Sequence, residues 1–230
     1  MNESVFIIPG FHDSGPAHWQ SWLQARLGNC TRLTGVDWTR PDLSAWVDQA
    51  QRQLPAQGRI WLVAHSFGCL VAATLAAVVP ERVAGIVFVA PAEPRRFAID
   101  GGLRNTRYDY TPRALPSVAD LLPHELPLSI QSIVLASEND PWLDFADAQA
   151  MANRWRSHFV NLGEAGHVNT EAGYGPWPGF LQQVARLREQ GPGALRHWTR
   201  RLLEHGAVPD EIRVIREVPS RARTLPRFAF

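Results

Sequence analysis

The sequence predicts an open, mostly parallel α/β sheet with helices on both faces, a three-layer α/β/α arrangement. Three observations predict it. Short apolar runs alternate with segments of helical periodicity through most of the chain. Residues 83–90 are almost continuously hydrophobic, as a strand covered on both faces must be. The 230 residues, 45% of them hydrophobic, suffice to bury one core without disulfides or metal.

The elements follow in order. Val5-Phe6-Ile7-Ile8 is a β-branched run stopped by Pro9-Gly10, which reads as a buried strand entering a loop. Trp19, Trp22, Leu23 and Leu27 then recur at helical spacing, with Pro16 where a first turn tolerates it. A strand around residues 33–38 precedes Leu43, Trp46, Val47, Ala50 and Leu54, which share one helical face. Residues 59–64 form the next strand, and residues 67–79 an alanine-rich apolar helix closed by Pro80. Residues 83–90 are the fourth strand. From 92 to 128 the pattern dissolves into proline, arginine and polar residues, a small lid-like insertion of the kind that has short helices of its own or lies over a binding site. Residues 132–137 resume as a strand. Asp144 looks like the N-cap of a helix carrying Phe145, Ala148, Ala152 and Trp155. A short strand at 158–162 and a helix with Phe180, Leu181, Val184 and Leu187 complete a domain over residues 1–190.

Composition excludes several classes of function. With 23 arginines against 22 acidic residues, the chain lacks the charge excess that phosphate backbones select, so no nucleic-acid partner is expected. Apolar runs fall far short of a bilayer span and Met1-Asn2-Glu3-Ser4 lacks a basic targeting region, so a cytoplasmic protein without membrane contact is expected. Cys30 and Cys69 are too few for a disulfide framework or zinc, and no metal or other cofactor is expected.

The chemistry concentrates at Ala64-His65-Ser66-Phe67-Gly68, between an apolar strand and an apolar helix. A G-x-S-x-G nucleophile elbow needs small residues two before and two after the serine, because larger side chains collide in so sharp a turn. Ala64 and Gly68 meet that need, although alanine departs from the commonest form. The bland alternative is that Ser66 merely caps the helix. What favours the elbow is an acid and then a histidine, each following a later strand. Asp140 comes 74 residues after Ser66 (140 − 66) and His167 another 27 on (167 − 140), leaving room for the intervening helices. Asp140 competes with Glu138, Asp144 and Asp147, and is preferred because Pro141 suits a turn leaving the strand at once. His167 is the one histidine in a loop after a strand beyond Asp140. His65 adjoins the serine but points away by strand alternation.

The Phe67 N–H, at the start of the helix, is a candidate oxyanion donor. A second should come from the loop after the first strand, from the N–H of Phe11 or of the neighbouring His12. Trp142 and Trp177 adjoin the acid and histidine loops and, with the His12 side chain, are candidate substrate contacts; core packing is the competing reading of both tryptophans.

With these residues in view, the chain resembles the small, nearly lidless α/β hydrolases of the retinoblastoma-binding-protein-nine type, over residues 4–188. The resemblance rests on Ile7-Ile8-Pro9-Gly10-Phe11, Ser14-Gly15-Pro16-Ala17-His18-Trp19-Gln20, Ala64-His65-Ser66-Phe67-Gly68, Ala136-Ser137-Glu138-Asn139-Asp140-Pro141, Gly166-His167-Val168-Asn169 and Gly175-Pro176-Trp177-Pro178. It implies an α/β-hydrolase-like sheet, a Ser66–Asp140–His167 triad and cofactor-free hydrolysis of small esters or amides; nothing in the sequence excludes thioesters. The name-giving retinoblastoma contact does not carry over, because no L-x-C-x-E string occurs. The insertion is shorter than a full lid domain, so activation at lipid interfaces is not expected.

Residues 191–230 lie outside the resemblance and carry 8 arginines and 4 acids, a net of +4 against −3 for the rest. Leu195, Trp198, Leu202 and Leu203 suggest an amphipathic helix and residues 212–218 a weak strand. Packing back on the domain is the plain expectation. A homodimer or protein-partner contact is the sharper one, and it supports a second function class: a catalytically silent hydrolase shell that binds a partner through this extension.

Overall fold

The computed structural model describes residues 3–104, 116–127, 129–190, 193 and 195. Six parallel strands form one sheet: β1 (Ser4–Ile8), β2 (Cys30–Arg32), β3 (Ile60–Ser66), β4 (Val83–Pro91), β5 (Gln131–Ala136) and β6 (His158–Asn161). Their order is β2-β1-β3-β4-β5-β6. The chain therefore winds one way from β1 to β2 and the other way from β3 onward. That reversal opens a crevice at the carboxyl ends of β1 and β3, where sheets of this kind hold ligands.

Alternation along the strands feeds two cores. Phe6, Ile8, Leu62, Ala64, Ile86, Phe88 and Val134 face α2 (Leu43–Gln53), α3 (Phe67–Val78) and α4 (Phe145–Arg154). Val5, Ile7, Val63, Val87, Val89 and Ile133 face α1 (Trp19–Gln24) and α5 (Pro178–Gln190). Because both faces are covered, β3 and β4 are buried along their whole length, which is why their sequences read as apolar runs. Leu195 is buried in the second core; the other tail residues singled out above, Trp198, Leu202, Leu203 and 212–218, lie outside the described residues.

Two expectations are corrected. The second strand is Cys30–Arg32, upstream of residues 33–38. Pairing with β1 ends where Leu33 N–H donates to the Ile7 carbonyl (2.9 Å); Gly35 (φ 68°) then turns left-handed and Asp37 accepts from the Thr39 amide (2.9 Å), folding the predicted strand into turns. The first helix is also shorter than its apolar spacing suggests. It ends at Gln24, and Leu27 is buried beyond it. His18, not Pro16, starts it, with its Nδ1 accepting from the Gln20 amide (3.1 Å).

The insertion is pinned at its described ends. Short 3-10 turns at Pro94–Arg96 and Val118–Asp120 are joined by an antiparallel bridge from Ala98 to Ser117, beside a second from Phe97 to Leu103. Phe97 is fully buried against Phe67, so the insertion is anchored beside the start of α3.

Candidate active site

The last residue of β3, Ser66, has φ 55° and ψ −125°, a region that costs a non-glycine residue on the order of 1–3 kcal/mol. The turn is tight on both sides. A Cβ on Gly10 would stand 2.7 Å from Ser66 Cβ, and one on Gly68 would stand 2.4 Å from the Ile8 and Pro9 carbonyl oxygens. The chain can pass from strand to helix this sharply only with glycine at those positions. Ser66 makes no capping hydrogen bond to α3, which disposes of the bland reading of this serine. Its hydroxyl instead meets His167 Nε2 at 2.8 Å.

His167 Nδ1 lies 2.8 and 2.9 Å from the two Asp140 oxygens. The carboxylate fixes the ring's proton on Nδ1, so Nε2 accepts from the Ser66 hydroxyl. Asp140 Oδ1 also accepts from the Trp142 amide (2.8 Å), which aims the carboxylate. All three side chains are buried or nearly so. The competing acids are engaged elsewhere: Glu138 accepts from Asn161 Nδ2 (2.7 Å), Asp147 lies near Arg95 (3.8 Å), and Asp144 sits at the start of α4.

The acid and histidine loops are tied together by Ser137 and Asn139, to which the sequence reading gave no role of their own. Gly166 N–H donates to Asn139 Oδ1 (2.7 Å), and Ala165 N–H to Ser137 Oγ (2.9 Å). Short polar residues after a strand, flanking a candidate acid, are the signal that could have flagged them.

The candidate oxyanion donors differ in their hydrogen bonds. His12 N–H is taken by the Trp38 carbonyl (2.9 Å), whereas Phe11 N–H makes no hydrogen bond among the described residues. Phe67 is the first residue of α3, so its amide has no acceptor within the helix. The Gly10 backbone beside Ser66 brings Phe11 to the same rim.

A cleft of about 330 Å³ opens over Ser66 and His167, and its walls include Phe11, His12, His18, His65 and Trp142. Trp142 packs over the His167 ring (centroids 5.7 Å) and stacks in parallel with Phe97 (6.4 Å). Trp177 is corrected as a candidate substrate contact. It is 1% exposed, lies between Trp19 and Phe180 (5.6 and 4.6 Å), and does not line this cleft. Its place next to Gly175-Pro176 brought it near the histidine in sequence, but its ring turns into the core beneath α5.

Beside His167, and lining the same cleft, stand two more buried imidazoles, His65 and His18, with successive ring centroids 4.9 Å apart. Burial, helped by Arg32 and His167, pushes His18 from 6.5 down to about 3. Burial, with His18 and His167, likewise holds His65 well below its ordinary value. Both rings are therefore neutral at pH 7. Cys69, also buried, has its thiol pushed up by burial and is unreactive. Among the described residues there is no cluster of three His, Cys, Asp or Glu that could hold a metal ion, and no helix is long and apolar enough to cross a membrane.

Strand order, elbow and cleft define an α/β hydrolase fold, and comparison with known proteins agrees. A family model described as serine hydrolase matches residues 5–186. The chain belongs to that family. A YdeN-like protein of Pectobacterium atrosepticum is similar in structure at 34% identity, with 82% of this chain and 91% of that one covered and a TM-score of 0.67. The YdeN gene product of Bacillus subtilis (19% identity, 79% and 96% covered, TM-score 0.57) and Est1E of Butyrivibrio proteoclasticus with ferulic acid bound (14%, 88% and 90%, 0.54) share the fold. No curated protein matches the chain in sequence.

Proposed function

We propose that this serine hydrolase cleaves small carboxylic esters, and by the same chemistry thioesters or amides, through an acyl-enzyme on Ser66. The observation that carries the proposal is the unbroken line from hydroxyl to imidazole to carboxylate, 2.8 Å at each step, on a backbone strained at the serine. A serine held at φ 55° without a capping role is best explained by a need to present its oxygen.

In the first half-reaction the Ser66 Oγ–H proton moves to His167 Nε2 as the oxygen attacks the substrate carbonyl carbon. Asp140 keeps the imidazole in the accepting tautomer and stabilises its cationic form. The carbonyl oxygen becomes an oxyanion, for which the Phe67 and Phe11 amides are the donors. The intermediate collapses as His167 returns the proton to the departing alkoxide. In the second half-reaction water takes the place of the serine hydroxyl, giving the acid and the free enzyme. No step needs a metal or other cofactor.

The cleft volume suits a small substrate, in keeping with the nearly lidless retinoblastoma-binding-protein-nine type that the sequence resembles. Aromatic walls at Phe11 and Trp142 favour a flat or short acyl chain over a long lipid tail. The test is turnover of a short p-nitrophenyl ester. Ser66→Ala should abolish it with the near-ultraviolet circular dichroism unchanged, and undiminished turnover in a folded variant would refute the assignment. A native protein with no esterase activity before substitution would instead favour the silent shell that binds a partner through residues 191–230.

A further inference from the structure

The segment Ser14-Gly15-Pro16-Ala17-His18-Trp19-Gln20 stands out in the sequence yet supplies none of the three reacting side chains. The structure gives it another use. Ser14 Oγ donates to Gln20 Oε1 (2.6 Å), and Gln20 Nε2 donates to the Ile8 carbonyl (3.2 Å), locking the segment against the end of β1. From that base Trp19, fully buried, extends its indole N–H to the Val168 carbonyl (2.9 Å). One residue earlier, the His167 carbonyl lies 2.9 Å from His65 Nε2. A carbonyl can only accept, so the His65 proton is on Nε2. The His18 ring packs on the far side of His65 and the Trp19 indole meets it edge-on (6.0 Å, 90°).

Two ring N–H groups thus grip two consecutive carbonyls of the loop that carries His167. The grip falls where the loop needs it. Val168 has φ 51°, a left-handed conformation that a β-branched residue resists, and locally only its N–H bond to the Ala165 carbonyl (3.3 Å) holds the turn. Released, Val168 would relax toward negative φ and swing the residue before it.

We propose that His65 and Trp19 are positioning residues, whose ring N–H groups hold the His167 and Val168 carbonyls so that the His167 imidazole stays in register with Ser66 and Asp140. This rests on the reading of His167 as the general base, but the hold itself is measurable without substrate. His65 therefore has a role although its ring hydrogen bond is to the His167 carbonyl and not to the serine hydroxyl.

The test uses the full chain with His65→Leu, His65→Gln and Trp19→Phe. Glutamine places an N–H near the position of Nε2, and phenylalanine keeps the ring while removing the donor. Two quantities are read: kcat and KM for p-nitrophenyl acetate, and the downfield proton resonance of His167 Nδ1–H bonded to Asp140. A positional error of about 1 Å costs on the order of 10²-fold, so His65→Leu and Trp19→Phe should lose roughly 10- to 100-fold in kcat with KM little changed. The resonance should broaden or move upfield in both, and His65→Gln should restore both readouts. Folded His65→Leu and Trp19→Phe proteins with unchanged kcat and resonance would overturn the proposal, as would His65→Gln as impaired as His65→Leu. Should one variant not fold, the other decides. If Ser66→Ala kept its turnover, the serine reading would fail on its own, while the resonance would still report whether these rings hold the imidazole.

Discussion

At Ser66 the backbone carries a strain that the side chain does not relieve, and the neighbours that make room for it are glycines chosen by distance. Gly10 is the sharper case. A methyl group there would stand 2.7 Å from Ser66 Cβ and 3.3 Å from its Oγ. Gly10→Ala should therefore push the first loop or the serine by several tenths of an ångström and lower kcat about 10-fold, measured on a short ester with the thermal midpoint as control. That Ser66, Asp140 and His167 come within hydrogen-bond reach was legible in the sequence because a small-x-Ser-x-small turn, then an acid and a histidine after later strands, is a pattern in chain order. Directions of side chains and amides were not. His12 and Phe11 are equivalent in sequence, and only a carbonyl from Trp38, 26 residues away (38 − 12), removes the first as a donor. Trp142 and Trp177 likewise both adjoin the site in sequence, but one faces the cleft and the other the core.

At the scale of elements, strands with two buried faces announced themselves through unbroken apolar runs, and β3, β4 and β5 lie within a few residues of where those runs fall. Elements at the edge were harder to read. Cys30–Arg32 is a three-residue edge strand that is half-exposed, so its sequence carries no apolar run at all. The start of α1 was misplaced for a related reason: a histidine caps it, where serine, threonine or aspartate is the usual signal. That cap has a consequence for stability. His18 is neutral in the fold down to about pH 3 but takes up a proton near 6.5 once unfolded. Between those values the unfolded chain binds more protons, so stability is full above about 6.5 and declines as pH falls toward 3. His65 adds in the same direction. His18→Asn keeps a capping acceptor and removes the titration, so its thermal midpoint should fall less steeply between pH 6.5 and pH 4 than that of the unsubstituted protein, measured by calorimetry.

Across the whole molecule, the site exists because two separate cores hold one sheet rigid. The core under α2, α3 and α4 fixes the elbow through Phe67, and the core under α1 and α5 fixes the histidine loop through Trp19 and Val168. Trp177, at 1% exposure between Trp19 and Phe180, belongs to the second. Trp177→Ala should cost about 3–5 kcal/mol in denaturant unfolding. The central claim is that one hydroxyl among all those in the chain is the nucleophile. Peptide mapping by mass spectrometry after treatment with a fluorophosphonate tests it most directly: a single covalent adduct on Ser66, absent from Ser66→Ala, is the predicted result, and a native protein that stays unmodified or is labelled at another residue would contradict it.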